Sequence, residues 1–100
     1  MSVFSLTLHP TYYKKGFFNV TVDFDRFVRS QEGNVFLRLG SGGPQIQGRI
    51  DRRANRNGTA RIIGGAKLRD WFQKHYRPMD VVAVDLSSPE IIILHTQTDQ

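Results

Sequence analysis

Apolar side chains at every second position, in short runs set off by turn-forming residues, are the feature that most limits what this chain can become. Residues 3–8 open the pattern. Phe4, Leu6 and Leu8 alternate with Val3, Ser5 and Thr7, which predicts a half-buried strand. His9-Pro10 ends it, because proline restricts the residue before it and has no N–H to give a ladder. Phe18, Val20 and Val22 define a second strand over 17–22, and Val-Phe-Leu-Arg-Leu a third over 35–39. Residues 45–52 and 59–63 follow as two more, with Ile46, Ile50, Ile62 and Ile63 as apolar contacts in a register the pattern leaves open. Val81 to Leu86 and a buried Ile91 to Leu94 come last, joined by the Ser-Ser-Pro-Glu turn at 87–90.

Two segments switch to a helical period. Asp23 is placed to cap a short helix from Phe24 to Ser30, with Phe24, Phe27 and Val28 inward at i, i+3 and i+4. Gly64-Gly65 breaks the preceding strand and starts a helix over 66–76. There Leu68, Trp71, Phe72 and Tyr76 form one apolar stripe, and Pro78 closes the segment. Seven short strands and two short helices in 100 residues predict a mainly β (α+β) fold. The expected architecture is a seven-stranded open β-barrel, or pseudobarrel, closed at its ends by the helices. Residues 1–100 read as a single domain with its core at about 3–94, and the polar residues 95–100 are expected to fray.

Charge is concentrated where the strands leave gaps. Residues 49–61 hold five arginines against the single Asp51, in a chain whose formal net charge is +5. The segment also carries Asn55, Asn57 and Thr59, and its Asn57-Gly58 pair is a hairpin-turn signal. A projecting hairpin with a tip of guanidinium and carboxamide groups suits phosphate oxygens and base edges. Arg52, Asn55, Arg56 and Asn57, nearest the tip, are the candidate base readers. Arg49, Arg53, Thr59 and Arg61 complete that arm, the arginines as phosphate contacts.

A second basic segment, Thr-Tyr-Tyr-Lys-Lys-Gly at 11–16, reads as a connection. Lys14 and Lys15 would meet phosphates. Tyr12 and Tyr13 either lie along the backbone of a nucleic acid or pack beneath the domain.

Other chemistry is thinly represented. There is no cysteine, which excludes disulfides, zinc ribbons and thiolate catalysis and fits a reducing compartment. His9, His75 and His95 lack metal-ligand spacing, and His75 is expected to be half-buried beside the helix stripe. The close acid pairs are Asp23/Asp25, read as helix-capping, and Asp80/Asp85, at opposite ends of a predicted strand. The Gly40 to Pro44 run lacks the Lys-Ser/Thr ending of a phosphate-cradling loop. No apolar stretch is long enough to span a bilayer, and the first residues read as a strand rather than a secretion signal. The expectation is a non-enzymatic, cytoplasmic protein without metal or cofactor, whose partner is acidic.

Four stretches carry a family resemblance. Leu6-Thr-Leu-His-Pro-Thr11 looks like a first strand and its turn, and Phe18-Asn-Val-Thr-Val-Asp-Phe-Asp-Arg-Phe27 a second strand entering a helix. Leu68-Arg-Asp-Trp-Phe72 looks like a second helix, and Pro78-Met-Asp-Val-Val82 a turn into a strand, with Met79 where glycine is common. Over residues 3–94 this order resembles the B-three DNA-binding pseudobarrel of plant auxin response factors and the related DNA-recognition domains of bacterial restriction endonucleases. The resemblance implies two arms gripping the major groove of double-stranded DNA, at 11–16 and 49–61. It also implies a recognition domain of a bacterial or phage restriction or regulatory system, alongside a nuclease or other effector. The alternatives are a basic RNA- or protein-interaction module and a swapped-hairpin transcriptional regulator. Trp71 and its helix weigh against the last.

Overall fold

The computed structural model describes residues 2–40 and 42–96. Its seven strands are β1 (Val3–Thr7), β2 (Phe17–Asn19), β3 (Gly33–Leu39), β4 (Gln45–Asp51), β5 (Arg61–Ile63), β6 (Val81–Asp85) and β7 (Ile91–Leu94). They form one sheet in the order β1-β6-β7-β3-β4-β5-β2. All neighbours are antiparallel except β3 and β7, which run parallel. The sheet curls into an open half-barrel with three short helices, so the mainly β pseudobarrel holds. The third helix is an addition to the two read from sequence.

The period-two alternation is the cause of the curl, since one face of every strand must find a dry partner. Phe4, Leu6, Phe18, Val35, Leu37, Leu39, Ile46, Ile50, Ile62, Val82, Val84, Ile92 and Leu94 all point into one core. Gly48 sits among them because a Cβ there would come within 2.9 Å of both the Ile63 carbonyl oxygen and Leu37. α2 (Gly65–His75) plugs one end with Leu68, Trp71 and Phe72, and Tyr76 follows at its cap, as the stripe predicts. Each such side chain contributes roughly 1.5–3 kcal/mol on burial.

The two edge strands, β1 and β2, are consecutive in sequence, and the segment bridging them is helical: α1 (Pro10–Lys15). Residues 11–16 are therefore not the simple connection expected. Proline is at home in the first helical turn, and Gly16, at φ 76°, supplies the left-handed cap. A Cβ on Gly16 would lie 2.1 Å from the Gly65 carbonyl oxygen. The Gly16 carbonyl accepts the N–H groups of Gly64 and Gly65, which binds the end of α1 to the start of α2.

The second predicted strand is shorter than 17–22. β2 stops at Asn19, and Val22, 67% exposed, opens a 3-10 helix over Val22–Phe27 in place of the α-helix expected from Phe24. Thr21, not Asp23, occupies its cap position, without a side-chain hydrogen bond. Phe24 stacks on Phe4 with ring centroids 5.4 Å apart and helps close the open side of the barrel. Ile63 and the half-buried Ile91 and Ile93 face the outer side of the sheet rather than the core. Met79 takes a left-handed φ of 73°, the conformation that explains why glycine suits that turn. His75 is exposed, with its ring 5.5 Å from Trp71. The expected fraying at 95–100 falls largely on 97–100, outside the described residues. His95 itself donates its N–H to Ala83.

Candidate nucleic-acid interface

β4 and β5 pair as Arg49↔Ile63, Ile50↔Ile62 and Asp51↔Arg61, which settles the register left open by the sequence. The connection between them is nine residues, 52–60, and not a two-residue hairpin turn. Within it the Gly58 N–H returns to the Asn55 carbonyl, with Gly58 at φ 78°. The Asn57-Gly58 signal thus marks a turn inside a longer loop.

That loop is fastened from beneath by its own polar side chains. Arg52 lies in a nest of acceptors. Its Nη1 donates to both carboxylate oxygens of Asp25 (3.1 and 2.9 Å) and to the Gly58 carbonyl (3.1 Å). Its Nη2 donates to the carbonyls of Val28 (3.0 Å) and Arg29 (2.8 Å). The two charged side chains are 18% and 25% exposed, so this pair is partly desolvated and held by many hydrogen bonds. Asp25 Oδ1 also accepts the Ala60 N–H at 2.8 Å. Far from capping a helix, Asp25 ties both ends of the loop to the 3-10 helix.

The amides are committed in the same way. Asn55 Nδ2 donates to Asn19 Oδ1 (3.0 Å) and to the Thr59 carbonyl (3.1 Å). Asn57 Oδ1 accepts the Thr59 N–H (3.1 Å) and hydroxyl (2.8 Å), while Thr59 itself is buried. Bidentate reading of adenine needs a carboxamide whose oxygen and nitrogen are both available. Asn55 and Asn57 each have one of these engaged inside the loop. The charged side chains left outside are cationic, beside the exposed Ala54 and Asn57. Arg56 is exposed, Arg53 is 90% exposed at 3.6 Å from Glu32, and Arg49 is exposed at 4.0 Å from Asp51.

Asp51 is itself held below the usual carboxylate range, first by the Arg53 N–H and then by the Ala54 N–H and the Arg49 guanidinium. Two shallow depressions border the loop. One, of about 500 Å³, is lined by Glu32, Gly33, Arg49, Ile50, Asp51 and Arg53. The other, of about 590 Å³, includes Asn19, Thr21, Val22 and residues 55–57.

The second basic segment turns its aromatics inward. Tyr13 donates its hydroxyl to the Tyr76 carbonyl at 3.0 Å, and Tyr12 packs edge-on against Phe17 with centroids 5.5 Å apart. Lys14 and Lys15 remain exposed on the last turn of α1. The two segments meet through one layer of side chains. From Tyr12 the contacts pass to Phe17, then to the Arg61 guanidinium 4.3 Å above the Phe17 ring. Arg61 Nε donates to Asn19 Oδ1 at 3.0 Å, the same oxygen that receives Asn55. Register explains the meeting. Phe17 faces Ile63 and Asn19 faces Arg61, so α1 and the loop flank a ladder only three residues long.

The sequence reading missed Asn19 and Phe17 and gave Asp25 a local role. Their importance comes from partners 27 to 44 positions away, for which no short-range signal exists.

Among the described residues, no group of three His, Cys, Asp or Glu side chains is placed to hold a metal ion, and no helix is long and apolar enough to cross a membrane. Comparison with protein-family models, with curated proteins and with solved structures finds no match in any of the three.

Proposed function

We infer that this domain binds double-stranded DNA sequence-specifically, with the 52–60 loop entering the major groove and α1 beside it. The observation that supports this most is the sorting of the loop. Its polar interior is satisfied by Asp25, Asn19 and backbone carbonyls, and the charges on its exterior are arginines. A cationic projection that is already ordered spends little conformational entropy on meeting a polyanion.

The division of labour differs from the one suggested by position along the chain. Arg56 is the principal base reader, suited to the N7 and O6 of guanine, and Arg53 supports it. Arg49, Arg61, Lys14 and Lys15 contact phosphates. Arg52, Asn55, Asn57 and Thr59 shape the loop, and Tyr12 and Tyr13 anchor α1. The cytoplasmic recognition part of a bacterial or phage restriction or regulatory system, with hydrolysis left to a separate effector, is the setting that suits such a module.

Selection of bound sites from a random duplex library tests the reading. A single consensus is expected, with affinity falling steeply as salt rises. Duplex RNA, whose major groove is closed to side chains, should compete poorly. Recovery of unenriched sequence, or equal competition by duplex RNA, would refute it.

A further inference from the structure

We propose that the outer face of the β3–β4 ladder is a second nucleic-acid site, one that takes an extended single strand. It does not require the duplex reading and uses none of the loop's tip, sharing only Arg49 with it. The ladder register places three rows on that face: Arg38 beside Gln45, Phe36 beside Gln47, and Asn34 beside Arg49. Successive rows are two residues apart along the strands, about 7 Å. That step is comparable to the spacing of nucleotides in an extended single strand.

The central row carries the aromatic. Phe36 is 47% exposed, and among the described residues it is the only aromatic among the large exposed hydrophobics. Flanking it are two guanidinium groups and three carboxamides. Asn34, Gln45, Gln47 and Arg49 are exposed, and Arg38 reaches Gln45 Oε1 from Nη2 at 3.4 Å. The nearest carboxylates are Asp51, beyond Arg49 and 4.0 Å from it, Glu32, which lines the same depression as Arg49 and Asp51, and Asp85, two strands from Arg38.

An exposed ring between cations is the arrangement by which proteins bind single strands. The base stacks on the ring, the cations follow the backbone, and sequence preference is slight. A protein partner fits less well, because the cores of such interfaces are depleted in charge while this ring has arginines in the rows on both sides. On β7 the half-buried Ile91 lies across from Phe36 and extends the apolar floor under a stacked base. The chemistry is shared by single-stranded DNA and RNA.

The experiment is fluorescence anisotropy of the intact protein with labelled short oligo(dT) and oligo(U), each challenged with unlabelled duplex. Saturable binding of at least one strand is expected, weakened roughly tenfold by Phe36→Ala. Phe36→Trp should retain binding, with its indole emission quenched on saturation. Arg38→Glu, a surface change that leaves Phe36 in place, should also weaken it. Arg56→Ala should leave single-strand affinity unchanged. Stronger binding of oligo(U) would assign the site to RNA, and stronger or equal binding of oligo(dT) to DNA; either result supports a single-strand site. No binding of either strand, wild-type affinity in both Phe36→Ala and Arg38→Glu, or a loss that follows Arg56 instead would overturn the proposal. So would a Phe36→Ala variant that changes only the sedimentation of the protein, since the face would then be a contact between copies.

Discussion

Residues 10–16 and 52–60 bring basic side chains to the two ends of the short β2–β5 ladder, and they are fastened in different ways. α1 rests on a ring contact and a few hydrogen bonds: Tyr12 packs against Phe17, the Tyr13 hydroxyl donates to the Tyr76 carbonyl, and the Gly16 carbonyl accepts the N–H groups of Gly64 and Gly65. The loop is anchored by polar groups around Arg52, Asp25, Asn19 and Thr59. An aromatic anchor tolerates small shifts of its ring, because packing is non-directional. A hydrogen-bonded anchor fixes angles and distances, and loses much when one partner is removed. The loop is therefore the better support for a base reader, and α1 the better support for charges that need only be near a phosphate.

The largest expected effect removes a large buried side chain from the α2 plug. Trp71→Ala should cost about 3–5 kcal/mol of stability, the range for truncating a large buried aromatic. Urea denaturation measures it, and a variant as stable as wild type would show that α2 is not the plug described here.

Next comes the clasp under the loop. Arg52→Ala leaves the Asp25 carboxylate and three carbonyls short of donors, and should cost ~3 kcal/mol, the lower end for breaking a buried pair that here is partly exposed. Arg52→Lys should recover little of this, since an ammonium cannot present the planar fork. Full rescue by lysine would mean that charge alone holds the loop.

A smaller loss, about 1 kcal/mol, is expected for Asn57→Ala, which removes the acceptor for the Thr59 N–H and hydroxyl. Thermal melts would read it. A large loss of base preference with unchanged stability would instead return Asn57 to the groove.

Smallest is Lys14→Ala on α1. It should weaken cognate and random duplex by similar factors and lower the salt slope by about 1, with stability unchanged. A change in consensus would break the distinction between the two segments.

How much of this was legible beforehand follows from the range of each interaction. Period-two alternation gave the strands, because side-chain direction in a strand depends only on neighbouring residues, and the stripe of Leu68, Trp71, Phe72 and Tyr76 gave α2 for the same reason. α1 was missed although its marks were present. Pro10 and Gly16 bracket one and a half turns, too few for a periodic pattern to stand out. The basic segments were found, but not the division of their side chains between inside and outside. Arg52 and Arg56 look alike in the sequence. What separates them is Asp25, brought up by the 3-10 helix from 27 positions away.

The measurement closest to the central claim replaces what the loop shows and spares what holds it. The Arg53→Ala, Arg56→Ala double variant should melt within about 0.5 kcal/mol of wild type, as surface changes do. It should also lose the preference for the selected consensus over random duplex. A folded double variant that keeps the wild-type preference would contradict the assignment of this loop as the reading arm.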